Sequence, residues 1–245
     1  MSGNHGSSLT DDTQTAGVKT PAVFSAAIAT GRTSGLVTSS ASATTSGPAS
    51  APSNAMADNS LLLHVCCWPC AVMPITRLLD EGFAVTAWFM NPNIQPLAEY
   101  LRRREAAGQC AEHLGIPIIY ADETWNITNW LRAVAGRDTP PARCAYCCES
   151  RIEAAFAFAR QQGYAWVSSS LLYSRYQPHE VIKTAGETLA AQPDAPGFAY
   201  RDFRSDWQAG IDRSKAMELY RQPYCGCVYS ESDRYQKQLL RCIKG

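Results

Sequence analysis

The chain has 245 residues, 46% of them hydrophobic, and carries 22 basic side chains against 22 acidic ones. That length allows one substantial domain or two small ones, and the balanced charge excludes a global field for nucleic acid. No stretch approaches the roughly 18–20 uninterrupted apolar residues of a membrane span, which argues for a soluble protein.

Residues 1–57 are rich in Ser, Thr, Ala and Gly and contain no Cys, Trp or Tyr. Such a segment cannot bury enough apolar surface to offset its ordering entropy, so a disordered, low-complexity tail is expected. It lacks the apolar core of a secretory signal, and Lys19 and Arg32 against Asp11 and Asp12 are too few for a strong targeting peptide. Met56, just before the first strand, is a second candidate start. Residues 58–245 are expected to form the folded domain.

From residue 58 strand-like and helix-like stretches alternate. "LLLHV" reads as a short buried strand, and "AVMPITRLLDEG" as a helix closed by Gly82. "AVTAWFM" is a second strand, running into the Asn- and Pro-rich turn "NPNIQP". "LAEYLRRREAAGQCAEHLG" is a long amphipathic helix with Gly115 as its stop. "IPIIYA" is a third strand, "TWNITNWLRAVAG" and "ESRIEAAFAFARQQG" are helices, and "AWVSSSLL" is a fourth strand. Repeated β-α units of this size imply a parallel sheet covered by helices. Past residue 195 the pattern loosens into aromatic, Arg-rich segments.

Ten cysteines are too few for a disulfide scaffold in a chain this long, which points to a reducing compartment and a cytoplasmic location. There, grouped cysteines favour metal ligation or redox catalysis. Cys66, Cys67 and Cys70 follow the first strand, at the carboxyl end where open α/β sheets build ligand sites. Cys144 and Cys147 form a C-x-x-C, with Cys148 adjacent, just ahead of the expected helix, whose dipole would favour thiolates. Their spacing admits an iron–sulfur cluster, a zinc ion or a redox disulfide. The adjacent Cys66 and Cys67 are awkward for a zinc knuckle, because neighbouring side chains on extended backbone point apart. Cys225 and Cys227 flank Gly226. They read either as a reversible two-electron store, since a disulfide across one residue is strained and oxidising, or as a tight turn with two reduced thiols. Cys110 reads as a buried inert thiol and Cys242 as a surface one.

The motifs "LLLHVCCWPCA", "NPNIQPLAEYLRR", "RCAYCCESRIEAAFAFARQQGYAWVSSSLLYSRYQ", "FAYRDFR" and "LYRQPYCGCVYSE" occur in this order. Together they resemble the QueH type of epoxyqueuosine reductase from about Leu61 to Ser230. The resemblance implies an α/β, Rossmann-like parallel sheet of the adenine-nucleotide alpha hydrolase (HUP-like) type. It implies a 4Fe-4S cluster on Cys66, Cys67, Cys144 and Cys147, and a redox-active disulfide between Cys225 and Cys227. The implied reaction removes the epoxide oxygen of epoxyqueuosine at the tRNA wobble position as water, without cobalamin. An additional mononuclear iron beside the cluster is a feature of the family, and Cys70 is the candidate ligand. Cys148 departs from the family pattern, which usually has Tyr there, and reads as a spectator. Related ATP-dependent tRNA thiolation enzymes use a Gly- and Ser-rich phosphate loop after the first strand. Here "CCWPC" takes that place, so ATP use is not expected.

The implied partners are a tRNA carrying epoxyqueuosine and an unidentified electron donor, with no membrane; a monomer is expected. The alternative is a zinc- or thiol-dependent tRNA-binding or tRNA-modifying protein of other chemistry. By residue type and motif position, Asp202, His64, His179 and Tyr224 are candidate proton donors, although His64 suits a core role. Asp202 and Arg204 suit either substrate binding or a structural ion pair. Arg102, Arg103 and Arg104 form a candidate RNA-binding patch or a solvated helix face. Trp68, Tyr100 and Tyr173 are candidate stacking partners for unpaired bases, with core packing as their default.

Overall fold

The computed structural model describes residues 57–137, 139–218 and 220–244. The expected disordered tail therefore lies, apart from Ala57, outside the described residues. The elements run β1 (Ser60–His64), α1 (Trp68–Asp80), β2 (Ala84–Phe89), α2 (Leu97–Leu114), β3 (Ile118–Tyr120) and α3 (Ile127–Val134). After these come α4 (Pro140–Gln162), β4 (Trp166–Ser169), α5 (His179–Ala190), β5 (Gly197–Phe198), α6 (Trp207–Ala216) and α7 (Val228–Lys244). No helix among the described residues is long and apolar enough to cross a membrane.

All four strand pairs are parallel, in the order β3-β2-β1-β4-β5. This is the α/β, doubly wound arrangement that the alternating pattern implies. Its central strand is covered on both faces, so Leu61, Leu62 and Leu63 are all 0% exposed and an unbroken apolar run is required. Each fully buried leucine contributes about 1.5–3 kcal/mol. Right-handed crossovers leave β1 in opposite directions towards β2 and, by way of β3, towards β4, which sets α1 and α4 on opposite faces. The strand order reverses between β1 and β4, so the ligand crevice of such a sheet opens at their carboxyl ends. Cys66 lies there, its N–H donating to Ser170 Oγ at 3.1 Å just beyond β4.

Helix ends follow local chemistry. α2 stops on Gly115, whose φ of 66° is the left-handed cap that glycine adopts without a Cβ penalty. α1 begins at Trp68 rather than Ala71, with Cys67 as its N-cap and a proline in its first two positions. α4 starts nine residues before the expected Glu149, with Pro140 and Pro141 opening it. Cys144, Cys147 and Cys148 are thus inside the helix and not ahead of it. Their positions follow helical periodicity, so Cys144, Cys147, Cys148 and Arg151 fall on one side. Helices α5, α6 and α7 are additions to the expected elements.

Candidate thiol and metal centre

The chain bends at Cys66 between β1 and α1, and that bend overrides the divergence of neighbouring side chains. The Sγ atoms of Cys66, Cys67 and Cys70 all lie within 4.8 Å of one another, and those of Cys66 and Cys67 are 3.8 Å apart. Crowded sulfurs ionise unequally. Contact with the Cys67 and Cys70 sulfurs holds the Cys66 thiol well below the usual range, helped by the Arg151 charge. Burial, and then the Cys66 sulfur, push Cys67 up; the two neighbouring sulfurs and burial push Cys70 up. Three soft sulfur donors this close together offer a nest for a soft metal ion.

The second group rises from α4. Arg151 is 2% exposed, its Nε donating to the Cys147 carbonyl oxygen at 2.8 Å. Its Nη2 points at Cys147 Sγ, 3.5 Å away, and at Cys148 Sγ, 3.7 Å away. No carboxylate lies within ion-pair distance of it among the described residues. A buried cation is costly unless it is compensated. Burial works against the guanidinium, yet the sulfurs of Cys147, Cys148, Cys225 and Cys66 hold it charged. Burial pushes the Cys147 thiol up to about 11, with Arg151 opposing. Burial also pushes Cys144 and Cys148 up. Arg151 is therefore a buried charge set against the two α4 thiols, with the Cys225 and Cys66 sulfurs adding to the field that favours it.

The third segment is the Cys225-Gly226-Cys227 turn. Gly226 has φ +132°, and a Cβ there would stand 3.0 Å from both Arg103 Nη1 and Ile94 Cγ1. The turn is held from below: Gln95 N–H donates to the Gly226 carbonyl oxygen at 2.8 Å, and the Tyr224 hydroxyl donates to the Gln95 carbonyl oxygen at 2.9 Å. Cys225 is exposed, and Gln177 Nε2 donates to its Sγ at 3.3 Å. The Gln177 Oε1 accepts from Cys148 at 3.5 Å, so one carboxamide joins two cysteine groups. Cys227 is buried against Cys147, Trp130 and Val134. Both members of the turn are free thiols.

Several expected site residues lie elsewhere or do other work. Arg103, expected in an RNA-binding patch, is 2% exposed. Its Nε donates to Glu99 at 2.7 Å, and Nη1 and Nη2 donate to the carbonyl oxygens of Cys225 and Tyr224 at 2.8 and 3.1 Å. That guanidinium supports the thiol turn from inside instead of facing phosphate. Arg102 and Arg104 stay nearer the surface, over the rings of Tyr220 and Tyr120. Asp202 and Arg204 form a two-pronged ion pair at 2.6 and 2.8 Å, and the hydrogen bonds from Arg204 hold the Asp202 carboxyl down to about 2. A carboxylate so held is ionised at neutral pH and is a poor proton donor.

His64 is a satisfied core residue. Its Nε2 lies 3.1 Å from the Met90 carbonyl oxygen, so the proton sits there, and Nδ1 accepts from Ser169 Oγ at 2.9 Å. Burial holds its pKa down to about 4, leaving it neutral. His179 bonds the Tyr200 hydroxyl at 3.1 Å through Nε2. Trp68, Tyr100 and Tyr173 are buried core and present no stacking face to solvent. Cys110 is buried and Cys242 exposed.

Sequence reasoning passed over Arg151 and Gln177. Arg151 stands one helical turn beyond Cys147, which is a readable signal once α4 is extended back to Pro140. Gln177 closes the motif that ends in "LLYSRYQ", but nothing local in the sequence pairs it with Cys225; the long-range fold does. The turn after β2 was also underread. Asn91, Asn93 and Gln95 are all buried there, with Asn91 Oδ1, Asn93 Oδ1 and Gln95 Nε2 unpaired.

The family profile of Epoxyqueuosine reductase QueH matches residues 61–233. The chain is 34% identical over 177 residues to Epoxyqueuosine reductase QueH of Dehalococcoides mccartyi, covering 72% of this chain and 95% of that protein. It is 38% identical over 189 residues to the protein of the same name from Acinetobacter baylyi, covering 74% and 84%. Among solved structures it is similar to the U34-tRNA thiolase NcsA from Methanococcus maripaludis with its 4Fe-4S cluster, at a TM-score of 0.44 and 14% identity over 73% of this chain and 67% of that one.

Proposed function

This chain belongs to the epoxyqueuosine reductase QueH family of oxidoreductases that act in queuosine synthesis, and from that premise we propose that its grouped thiols carry the reduction. The substrate in this reading is tRNA bearing epoxyqueuosine at the wobble position, and the product is queuosine. The observation that carries the reading is the grouping of the thiols: the Cys66, Cys67 and Cys70 sulfurs lie within 4.8 Å of one another, Cys147 and Cys148 lie against buried Arg151, and Gln177 joins Cys148 to Cys225.

Cys66, Cys67, Cys144 and Cys147 are the proposed ligands of a 4Fe-4S cluster, with Cys70 available to an additional iron. The donor set fits such a group: all are thiols, and no imidazole or carboxylate competes within the Cys66, Cys67 and Cys70 nest. When bound, the metal centre supplies single-electron transfer and Lewis-acid polarisation of an oxygen. The chain's own residues account for the rest. Cys225 and Cys227 hold two electrons and two protons as a dithiol. Reduction of the epoxide to an alkene consumes two electrons and two protons and releases water, and oxidation of the dithiol to a disulfide supplies both. An external donor then restores the thiols. Arg103 and Gln95 fix the turn, Gln177 orients the Cys225 sulfur, and the Gly226 backbone allows the two sulfurs to approach. Neither cobalamin nor ATP enters this scheme.

A second reading has its own observation. The 3.8 Å separation of the Cys66 and Cys67 sulfurs matches the edge of a tetrahedron around one zinc ion, given Zn–S bonds of about 2.3 Å. That supports a zinc-dependent tRNA-binding or tRNA-modifying protein. Anaerobic purification separates the two. Brown protein with bound iron and sulfide, converting epoxyqueuosine in tRNA to queuosine by nucleoside analysis, is the expected result. Colourless protein with one zinc and no conversion would overturn it.

A further inference from the structure

Tyr176 leaves 85% of its surface in solvent. Single exposed aromatics are ordinary, so exposure alone says little. Its setting is more specific. The loop carrying it is pinned, because Ser174 Oγ accepts from the Tyr176 N–H at 3.2 Å. Behind it stands Trp207, whose ring meets Tyr176 edge-on at 5.6 Å and 77°. Trp207 is itself stacked on buried Tyr173 at 5.4 Å and 24°, and Tyr173 donates its hydroxyl to the Trp207 carbonyl oxygen at 2.9 Å. The support is therefore rigid. The exposed Arg175 guanidinium lies 5.7 Å from the Trp207 ring, a cation held over an aromatic face.

The next residue is Gln177, which touches Cys225 Sγ. An open aromatic ring, a cation and an exposed thiol thus occupy one short stretch of surface. Burial of a tyrosine ring is favourable, and leaving this one open on a fixed loop is what a planar ligand face requires. Unpaired RNA bases splay out and stack on such rings, and arginines beside them meet phosphate.

We propose that Tyr176, backed by Trp207 and flanked by Arg175, is the platform on which an unpaired nucleobase adjacent to the modified nucleoside stacks while that nucleoside is held at Cys225. This rests on the reading of tRNA as substrate. Tyr176 is a positioning residue: it touches the substrate's neighbouring base and not the reacting atoms.

The test is steady-state kinetics of the metal-loaded enzyme on epoxyqueuosine-containing tRNA. Tyr176→Ala should raise KM about ten-fold and leave kcat within about two-fold, the signature of lost stacking without lost chemistry. Tyr176→Phe and Tyr176→Trp should behave as the unsubstituted enzyme. Arg175→Ala should raise KM less and flatten its dependence on salt. An unchanged KM in Tyr176→Ala, or a Tyr176→Phe enzyme as impaired as Tyr176→Ala, would overturn the platform. If the unsubstituted enzyme converts no nucleoside, the reductase reading fails instead. Binding of a fluorescent anticodon stem-loop then decides the platform alone: about ten-fold weaker binding by Tyr176→Ala supports it, and equal binding sinks it.

Discussion

Arg103 of α2 donates through Nη1 to the carbonyl oxygen of Cys225 at 2.8 Å, so a helix 122 residues away in sequence sets the backbone of the thiol turn. The same guanidinium grips Tyr224 and is itself paired with buried Glu99, which also accepts from the Tyr220 hydroxyl at 2.7 Å. Replacing it with methionine strands a buried carboxylate and two carbonyl groups. Arg103→Met should cost about 3–5 kcal/mol in urea unfolding. Glu99→Gln added to it should recover part of that loss, giving a double-mutant coupling that an exposed phosphate-binding arginine would not show.

Gly226 bears a φ that residues with a Cβ rarely adopt, and the added atom would meet Arg103 and Ile94 at 3.0 Å. Gly226→Ala should therefore destabilise by about 1–3 kcal/mol and disturb the approach of Cys225 to Cys227. Thermal unfolding reads the first effect, and the rate of disulfide formation by a mild oxidant reads the second. A variant oxidised as readily as the unsubstituted protein would remove Gly226 from this role.

Ligand and bystander cysteines should separate by metal content. Cys66→Ser, Cys67→Ser, Cys144→Ser and Cys147→Ser are each expected to lower iron and sulfide in anaerobically prepared protein, while Cys148→Ser retains both. Arg151→Met removes the buried charge those sulfurs surround. Lower iron loading is expected from it, with a more negative reduction potential in whatever cluster is reconstituted, because a lost cation disfavours added electrons. Full loading at an unchanged potential would show that Arg151 only packs.

Asp202 gives a prediction with a defined pH window. Arg204 holds its folded-state pKa down to about 2, below its ordinary 3.8. A depressed carboxylate contributes stability that is present above the ordinary value and lost as pH falls through the folded one. The pair is largely exposed, so that contribution is at most about 1 kcal/mol. Asp202→Asn should lose this small increment at neutral pH, and the gap should close as pH falls from about 4 towards 2. Turnover at neutral pH should be unchanged, and a large fall in kcat would restore Asp202 as a catalytic group.

How much was legible depended on how local each cause was. The Leu61–Leu63 run, the β-α alternation and the Gly115 cap are set by neighbours a few residues away, and the sequence carries them openly. The chemistry of the site was legible in the same way, because thiols grouped after β1, on α4 and around Gly226 announce themselves by residue type. The start of α4 was less legible: a helix is expected from Glu149, and it begins at Pro140, with Pro140 and Pro141 in its first turn.

By itself the sequence determined an α/β chain of the epoxyqueuosine reductase QueH family, eight of whose ten cysteines fall in three groups. Only the tertiary structure decided what holds those groups together: Arg151 among the sulfurs, Gln177 on Cys225, and Arg103 turned inward beneath the thiol turn. The same arginine triplet in "YLRRRE" gives two surface residues and one buried one. Helical spacing fixes which side of α2 each faces, but a buried guanidinium needs partners. Glu99, four residues back on the same helix, supplies one; the others come from Cys225 and Tyr224, brought to it by the fold from more than a hundred residues away.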